Sequence, residues 1–368
     1  MAPTARKNAE NEAETEPKGQ TEEILEFSPS YITLDTFNDL LARYPTTVET
    51  VVRRKETTKA TKAAAAREKK TRAKGKKPPS DSPSLQPTLT DAEKQHIDSQ
   101  VRAYLALDEF RYGTLPTRVR ARATATAAAA EEKGSKTNVA GYLEKDELVR
   151  LTEWKLKHGV HRPTLLGLVR SNQPDLVRRT TSSAFAAVPA SDPTADLASA
   201  DAEPESESES DGAFPKQSLD ALIAPLRGVG PATASLILSV ATESAPFYSD
   251  DVFLWLCLGE FPSAAAAEDG GERSVGASKH VRPNGELNVK YNLQEYRLLW
   301  EAVRRLRARL DAVSCADVEK VAFVLRHIDV SGYPVRDAPA SAQEVEGTKR
   351  KPDQNVQAGE KRSSKRRR

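Results

Sequence analysis

The chain has 368 residues, 55 of them Lys or Arg against 53 Asp or Glu, for a net charge of +2. Only 38% is hydrophobic and 29% is charged, so a large share of it cannot join a packed core. No apolar run reaches membrane-spanning length, and the polar, acidic stretch from Met1 to Glu16 suits neither a secretory nor a mitochondrial leader.

Two cysteines, Cys257 and Cys315, sit inside apolar helical patterns. They read as buried thiols of a reduced intracellular protein, not as a disulfide framework. Five histidines and two cysteines offer no metal-ligand spacing, so neither a zinc site nor an iron–sulfur cluster is expected, and no cofactor.

Residues 1–28 read as a disordered N-terminus. From Ile32 to Tyr44 the spacing of Leu34, Phe37, Leu40 and Leu41 predicts a helix capped by Thr33. Arg53 to Lys77 is basic and alanine-rich, and the segment Pro78 to Pro87 ends any helix. It is either a solvated linker or a nucleic-acid contact or import patch, and it counts as a disordered insertion over about 53–89. Thr90 with Glu93 forms a capping-box pattern for a helix carrying Ile97, Val101, Tyr104, Leu105 and Leu107. A second basic, alanine-rich run predicts another insertion over about 111–138.

Leu148, Leu151 and Trp154 line one face of a helix that starts near Asp146 and ends at His158 and Gly159. Arg162-Pro163-Thr164 opens the next, through Leu165, Leu166, Leu168 and Val169, and a further helix spans Pro174 to Val188. Trp154, Lys155, Lys157 and Arg162 make either an aromatic–basic surface for nucleic acid or a core tryptophan with lysines on its wet side. Residues 190–213, with the acidic, serine-rich run from Asp201 to Asp211, read as a disordered, phosphorylatable insertion.

The segment Leu226-Arg227-Gly228-Val229-Gly230-Pro231-Ala232-Thr233-Ala234 is the most informative in the chain. Leu219, Leu222 and Ile223 predict a short helix, with Ser218 as its N-cap, ending at Pro225. A tight turn on two glycines follows, and a buried helix opens at Pro231. Turn amides and a helix N-terminus together suit an anion such as a nucleic-acid phosphate; an ordinary helical hairpin without ligand is the alternative.

Residues 264–286 read as another insertion. Asn292 and Glu295 open a long helix through Trp300 to Leu310, with Arg304, Arg305, Arg307 and Arg309 on its exposed side. Ser314 caps a last helix from Val318 to Leu325. Residues 338–368 form a disordered basic tail. Its clusters Lys349-Arg350-Lys351, Lys361-Arg362 and Lys365-Arg366-Arg367-Arg368 suit a bipartite nuclear-import signal, and equally a nonspecific grip on phosphates.

The span from Pro215 to Gly259 resembles the helix-hairpin-helix DNA glycosylase superfamily, whose hairpin is a Leu-Pro-Gly-Val-Gly run followed by Thr-Ala. Arg227 replaces the usual proline. The resemblance implies backbone contacts to DNA by Arg227, Gly228, Val229, Gly230, Ala232 and Thr233. It also places a catalytic aspartate at Asp250, within Phe247-Tyr248-Ser249-Asp250-Asp251-Val252-Phe253. Such a carboxylate would stabilise positive charge on the sugar as the glycosidic bond breaks, or help activate the attacking nucleophile, once the damaged base is extruded. Ala232 stands where lyase-competent members carry a lysine, so a monofunctional glycosylase is implied. The simpler role for Asp250-Asp251 is that of a helix start. Segments Glu153-Trp154-Lys155-Leu156-Lys157-His158-Gly159 and Arg162-Pro163-Thr164-Leu165 are also similar to a group of eukaryotic, especially fungal, proteins, a likeness that brings no activity with it.

The expectation is thus an all-α domain over 29–337 with a helix-hairpin-helix motif, interrupted by low-complexity insertions and flanked by disordered tails. The expected function is that of a nuclear DNA-binding protein, with DNA and the import machinery as its expected partners and no membrane. The alternatives are a non-catalytic DNA-binding or scaffold protein, or a hairpin that only packs helices.

Overall fold

Thr33 accepts the Thr36 amide and opens α1 (Leu34–Ala42), whose Phe37 and Leu40 are buried. The computed structural model describes residues 26–73, 89–132, 141–159, 162–189, 212–261, 280, 282 and 287–334. α2 (Tyr44–Ala73) follows at once, and α3 (Asp91–Glu109) begins at the reciprocal Thr90–Glu93 capping box. A π-turn over Phe110–Thr114 carries α3 without a break into α4 (Leu115–Glu132). α5 (Lys145–His158), α6 (Leu165–Arg170) and α7 (Pro174–Ala186) come next. Then follow α8 (Lys216–Ile223), α9 (Pro231–Leu238), α10 (Asp250–Leu256), α11 (Leu293–Arg309) and α12 (Cys315–Arg326). The fold is all-α: no strand forms among the described residues.

α12 is the hub. It packs on α1, α2, α10 and α11, and Val318, Val321, Ala322, Phe323, Val324 and Leu325 are all buried. Asn292 and Ser314 both cap their helices through capping boxes, with Glu295 and Asp317 in reply. α3 packs on α2 and α5, while α7 backs α5, α8 and α9. Trp154, Trp255 and Trp300 are each at most 1% exposed and anchor one continuous core.

Several expected surface segments are structural. Residues 53–73 belong to α2, where Val52 and Ala64 are buried. Arg53 pairs with Glu49 and Asp98, Arg54 with Asp329, and Lys55 donates to the Lys157 carbonyl at 2.9 Å. Residues 111–132 likewise belong to the fold. Leu115 and Val119 enter the core, and Arg122 grips Glu147 through two bonds of 2.6 and 2.7 Å. An alanine-rich composition conceals these helices because a few apolar residues per turn suffice when partners cover the rest.

Ser218 is not the cap of α8. Pro215 stands at that position, its restricted φ suiting helix entry, and Ser218 lies buried one turn in, its hydroxyl without a partner among the described residues. Ala224 keeps helical backbone and donates to the Asp220 carbonyl, and the helix goes no further because Pro225 has no N–H to continue the ladder. Arg305 is exposed as expected, but three other α11 arginines are committed: Arg307 donates to the carbonyls of Val313 and Glu243, Arg309 to those of Ile32 and Pro29, and Arg304 stacks over Trp300. The proposed import residues Lys349 to Arg368, the acidic run at 201–211 and most of 264–286 lie outside the described residues.

Candidate functional site

The turn over 224–230 joins α8 to α9, and the two helices pack on each other. Gly228 is in the left-handed region (φ 77°), and a Cβ there would meet Leu168 at 3.0 Å and the Val169 backbone at 3.3 Å. Here glycine is required twice, by backbone and by packing. Gly230 is different: its backbone is extended, and a Cβ there would meet nothing within 4 Å. Buried Asn172, at the α6–α7 corner, clamps Arg227 from both sides, receiving its N–H at 2.9 Å and donating to its carbonyl at 3.0 Å. The amides of Gly228, Gly230 and Ala232 donate to no acceptor among the described residues. The Arg227 side chain is exposed, Val229 is buried, and Thr233 turns inward, 4% exposed.

The loop from Ser244 to Ser249 sets Asp250 against this hairpin. Ser235 of α9 accepts the Tyr248 amide at 2.9 Å, and Tyr296 donates to the Pro246 carbonyl at 2.9 Å. Trp300 donates to the Ser244 carbonyl at 2.8 Å. Ser249 is the N-cap of α10, accepting from the amides of Asp251 and Val252, so Asp250 is the first helical residue and its carboxylate is left for other work.

Asp250 accepts the Tyr291 hydroxyl at 3.0 Å. Burial and neighbouring Asp251 raise its carboxyl above the ordinary range, against the Tyr291 hydrogen bond and the charges of Arg326 and Lys155. Tyr291 itself has a left-handed backbone (φ 54°), which is uncommon for a bulky side chain and costs on the order of 1–3 kcal/mol. Glu295 holds it there, accepting the amide of Lys290 at 3.0 Å, that of Asn292 at 3.4 Å and the Tyr248 hydroxyl at 3.1 Å.

Lys155 of α5 reaches the same place. Its Nζ donates to Thr233 Oγ1 at 3.1 Å and lies 5.8 Å from the centre of the Phe247 ring. Burial pulls the amine down to about 8, with Asp250 opposing the shift and Arg162 adding to it. Behind Asp250, Asp251 is ion-paired with Arg326. Burial would raise that carboxyl, but Arg326, His158 and His327 outweigh it and hold it below the ordinary value. His158 lies 2.7 Å from the Tyr104 hydroxyl and stacks on Trp154.

The structure thus brings together Thr233, Asp250 and, from another helix, Lys155. Trp154 is core, not surface: it is fully buried, with Nε1 on Asp108 at 2.9 Å. Lys155 was legible as a basic neighbour of that tryptophan, but its side chain joins the Asp250 group because it follows Trp154 by one residue around the helix. Tyr291 and Arg326 carry no motif; only the packing of α10 against α11 and α12 reveals them. Among the described residues no cluster of His, Cys, Asp and Glu is arranged to hold a metal. A shallow surface depression of about 480 Å³, lined by Tyr142, Arg178, Arg179, Ser182, Ser183 and Ala186, contains none of the residues around Asp250. No family model, no curated protein and no solved structure matches the chain.

Proposed function

We propose that this protein binds DNA through the turn from Leu226 to Thr233 and removes a base from it with Asp250 as the charged group that stabilises the sugar cation. The observation that carries this reading is the anchoring of Asp250 to the glycine hairpin: Ser235, inside α9, holds the loop that ends at Asp250. The amides of Gly228, Gly230 and Ala232, which have no acceptor among the described residues, supply the donors that a backbone phosphate needs, and exposed Arg227 adds a positive charge. Asp250 in its ionised form supplies a fixed negative neighbour for an oxocarbenium-like transition state, and Lys155, Arg326 and the Tyr291 hydroxyl favour that form. A nuclear location goes with this reading through the basic clusters of the tail.

A glycosylase assay on a panel of damaged duplexes tests the chemistry. Asp250→Asn is expected to lower base release by about 10²–10³-fold while duplex binding persists. Equal release by both proteins, or none by either, removes the catalytic claim.

Gly230 gives a separate test of the DNA contact. Since a Cβ there has open space, Gly230→Leu is expected to leave the melting temperature nearly unchanged and to weaken duplex affinity about tenfold, with wild-type affinity falling steeply as salt rises. Salt-insensitive binding, or binding indifferent to Gly230→Leu, leaves the turn as a packing device.

The second reading, a non-catalytic DNA-binding or scaffold protein, draws support from Tyr291, which already occupies an Asp250 oxygen. It predicts duplex binding without base release in the same two assays.

A further inference from the structure

We propose that the surface depression beside α7 receives a phosphorylated serine of this chain's own acidic run, with Ser206, Ser208 and Ser210 as the sites of modification. The depression contains none of the residues around Asp250, so nothing in it depends on the DNA reading. Its floor is the outer face of α7. Arg178 and Ser182 recur there at helical spacing, as do Arg179, Ser183 and Ala186, while Val177, Thr181, Ala184 and Phe185 enter the core. Tyr142, from the segment before α5, adds a third hydroxyl, and the six lining residues include no carboxylate.

The donors are held in place. Glu144 takes the Nε of Arg178 at 2.7 Å, which fixes that guanidinium and leaves its two terminal nitrogens with no acceptor among the described residues. Arg122 backs the Tyr142 ring at 5.0 Å and is itself gripped by Glu147. Two planar forks beside three hydroxyls suit a phosphate monoester, which accepts bidentate bonds from arginine and brings three oxygens and nearly two charges.

The occupant follows from topology. Asn172, just before α7, bonds both the N–H and the carbonyl of Arg227, just after α8. The start of α7 therefore meets the end of α8, and because these helices pack on each other they run antiparallel. The start of α8 lies toward the end of α7, where Ser182, Ser183 and Ala186 stand. Residues 190–211 begin four positions past Ala186, and the described chain resumes at Gly212, four before α8. Both ends of that segment thus open beside the depression. Within it, outside the described residues, the run from Asp201 to Asp211 carries six carboxylates, three serines and no Lys or Arg. Ser210 is two residues and Ser206 six from Gly212, a reach of at most about 7 to 21 Å, comparable with the length of α7 at about 20 Å. Attachment at both ends holds the run at about millimolar effective concentration, so a weak arginine–phosphate contact suffices. The same carboxylates repel a nucleic-acid backbone from the depression.

In the modifying step a serine oxygen bonds to the γ-phosphorus of ATP on a protein kinase. The hydroxyl proton passes to that enzyme's base, and ADP leaves with the electron pair of the broken bond.

Phosphorus NMR of the full-length protein carrying phosphate on Ser206, Ser208 and Ser210 provides the test. At least one of the three resonances is expected to titrate about 0.5–1 pH unit below the free phosphopeptide of residues 201–211, because a held dianion resists its second proton. Arg178→Gln with Arg179→Gln should return it to the peptide's value. Both side chains are exposed, so this double variant is expected to keep the wild-type melting temperature. Arg178→Lys with Arg179→Lys, which keeps charge without the fork, should retain only part of the shift. Phenylglyoxal, which modifies free arginines, should label Arg178 and Arg179 more slowly in the phosphorylated protein, and phosphatase should restore the rate. Resonances that match the free peptide in wild type overturn the proposal, as does a shift that both arginine-to-glutamine changes leave in place. A shift that fades on dilution gives the phosphate to a second copy and overturns it too. Protection of Arg178 and Arg179 by a DNA duplex, in protein without phosphate, assigns the depression to nucleic acid and overturns it likewise.

Discussion

Arg111→Ala is expected to lower folding stability by about 3–5 kcal/mol, as read from the midpoint and slope of urea unfolding. Arg111 lies on the π-turn between α3 and α4 and is 1% exposed, which is rare for arginine. It donates to Ser239 Oγ at 2.7 Å and to both carboxylate oxygens of buried Glu319 at 3.3 Å, while Tyr112 donates to the same carboxylate at 3.1 Å. Its guanidinium also sits 4.9 Å from the Tyr112 ring centre and 5.4 Å from that of Trp154. Burial raises the Glu319 carboxyl and Arg111 counters it. Alanine would leave an uncompensated carboxylate and a large void in one stroke. The pair is costly to break without being a large net source of stability. The double variant Arg111→Met with Glu319→Leu is therefore expected to recover most of the loss. A single-variant loss below about 1 kcal/mol would show that water reaches the carboxylate and that the pair is dispensable.

Acid should destabilise the protein well above the range in which ordinary carboxylates titrate. Burial pulls His327 from an ordinary value of 6.5 down to about 4, and burial also lowers His158. A histidine kept neutral by the fold binds its proton more readily when unfolded. Its contribution is present above pH 6.5 and is lost as pH falls toward 4. For His327 this amounts to about 1–3 kcal/mol over that interval, discounted for its partial exposure. Asp250 and Glu319, both raised by burial, act in the opposite sense near the lower end and soften the decline there. Asp251, held low by its neighbours despite burial, loses its share only below its ordinary 3.8. Unfolding midpoints measured between pH 4 and 7.5 should fall with acid, and His327→Gln should flatten the curve. A flat wild-type profile over that range would exclude the buried, neutral pair.

Local signals in the sequence located most helices. Thr33, Thr90, Asn292 and Ser314 are caps, and each was visible because a small polar residue precedes an apolar repeat. The basic, alanine-rich helices were not, since only a few of their residues enter the core, among them Val48, Val52 and Ala64 in α2 and Leu115 and Val119 in α4, amid many charged and alanine positions. Ser218 failed as a cap because proline at 215 supplied a better helix entry. In the site, the hairpin and Asp250 were legible through spacing. The gathering of Lys155, Tyr291 and Arg326 there was not, because three different helices or loops deliver them and no local pattern records that meeting.

The backbone of Tyr291 has a bearing on how Asp250 exchanges partners. Leaving the left-handed region releases on the order of 1–3 kcal/mol, and the phenol's hydrogen bond to a charged oxygen is worth about 1.5–3 kcal/mol. The two nearly cancel. A hydroxyl or water arriving at the Asp250 oxygen therefore need not outbind Tyr291 by much, because the relaxing loop meets most of the exchange. Glu295, which grips the residues on either side, sets how far that relaxation can go.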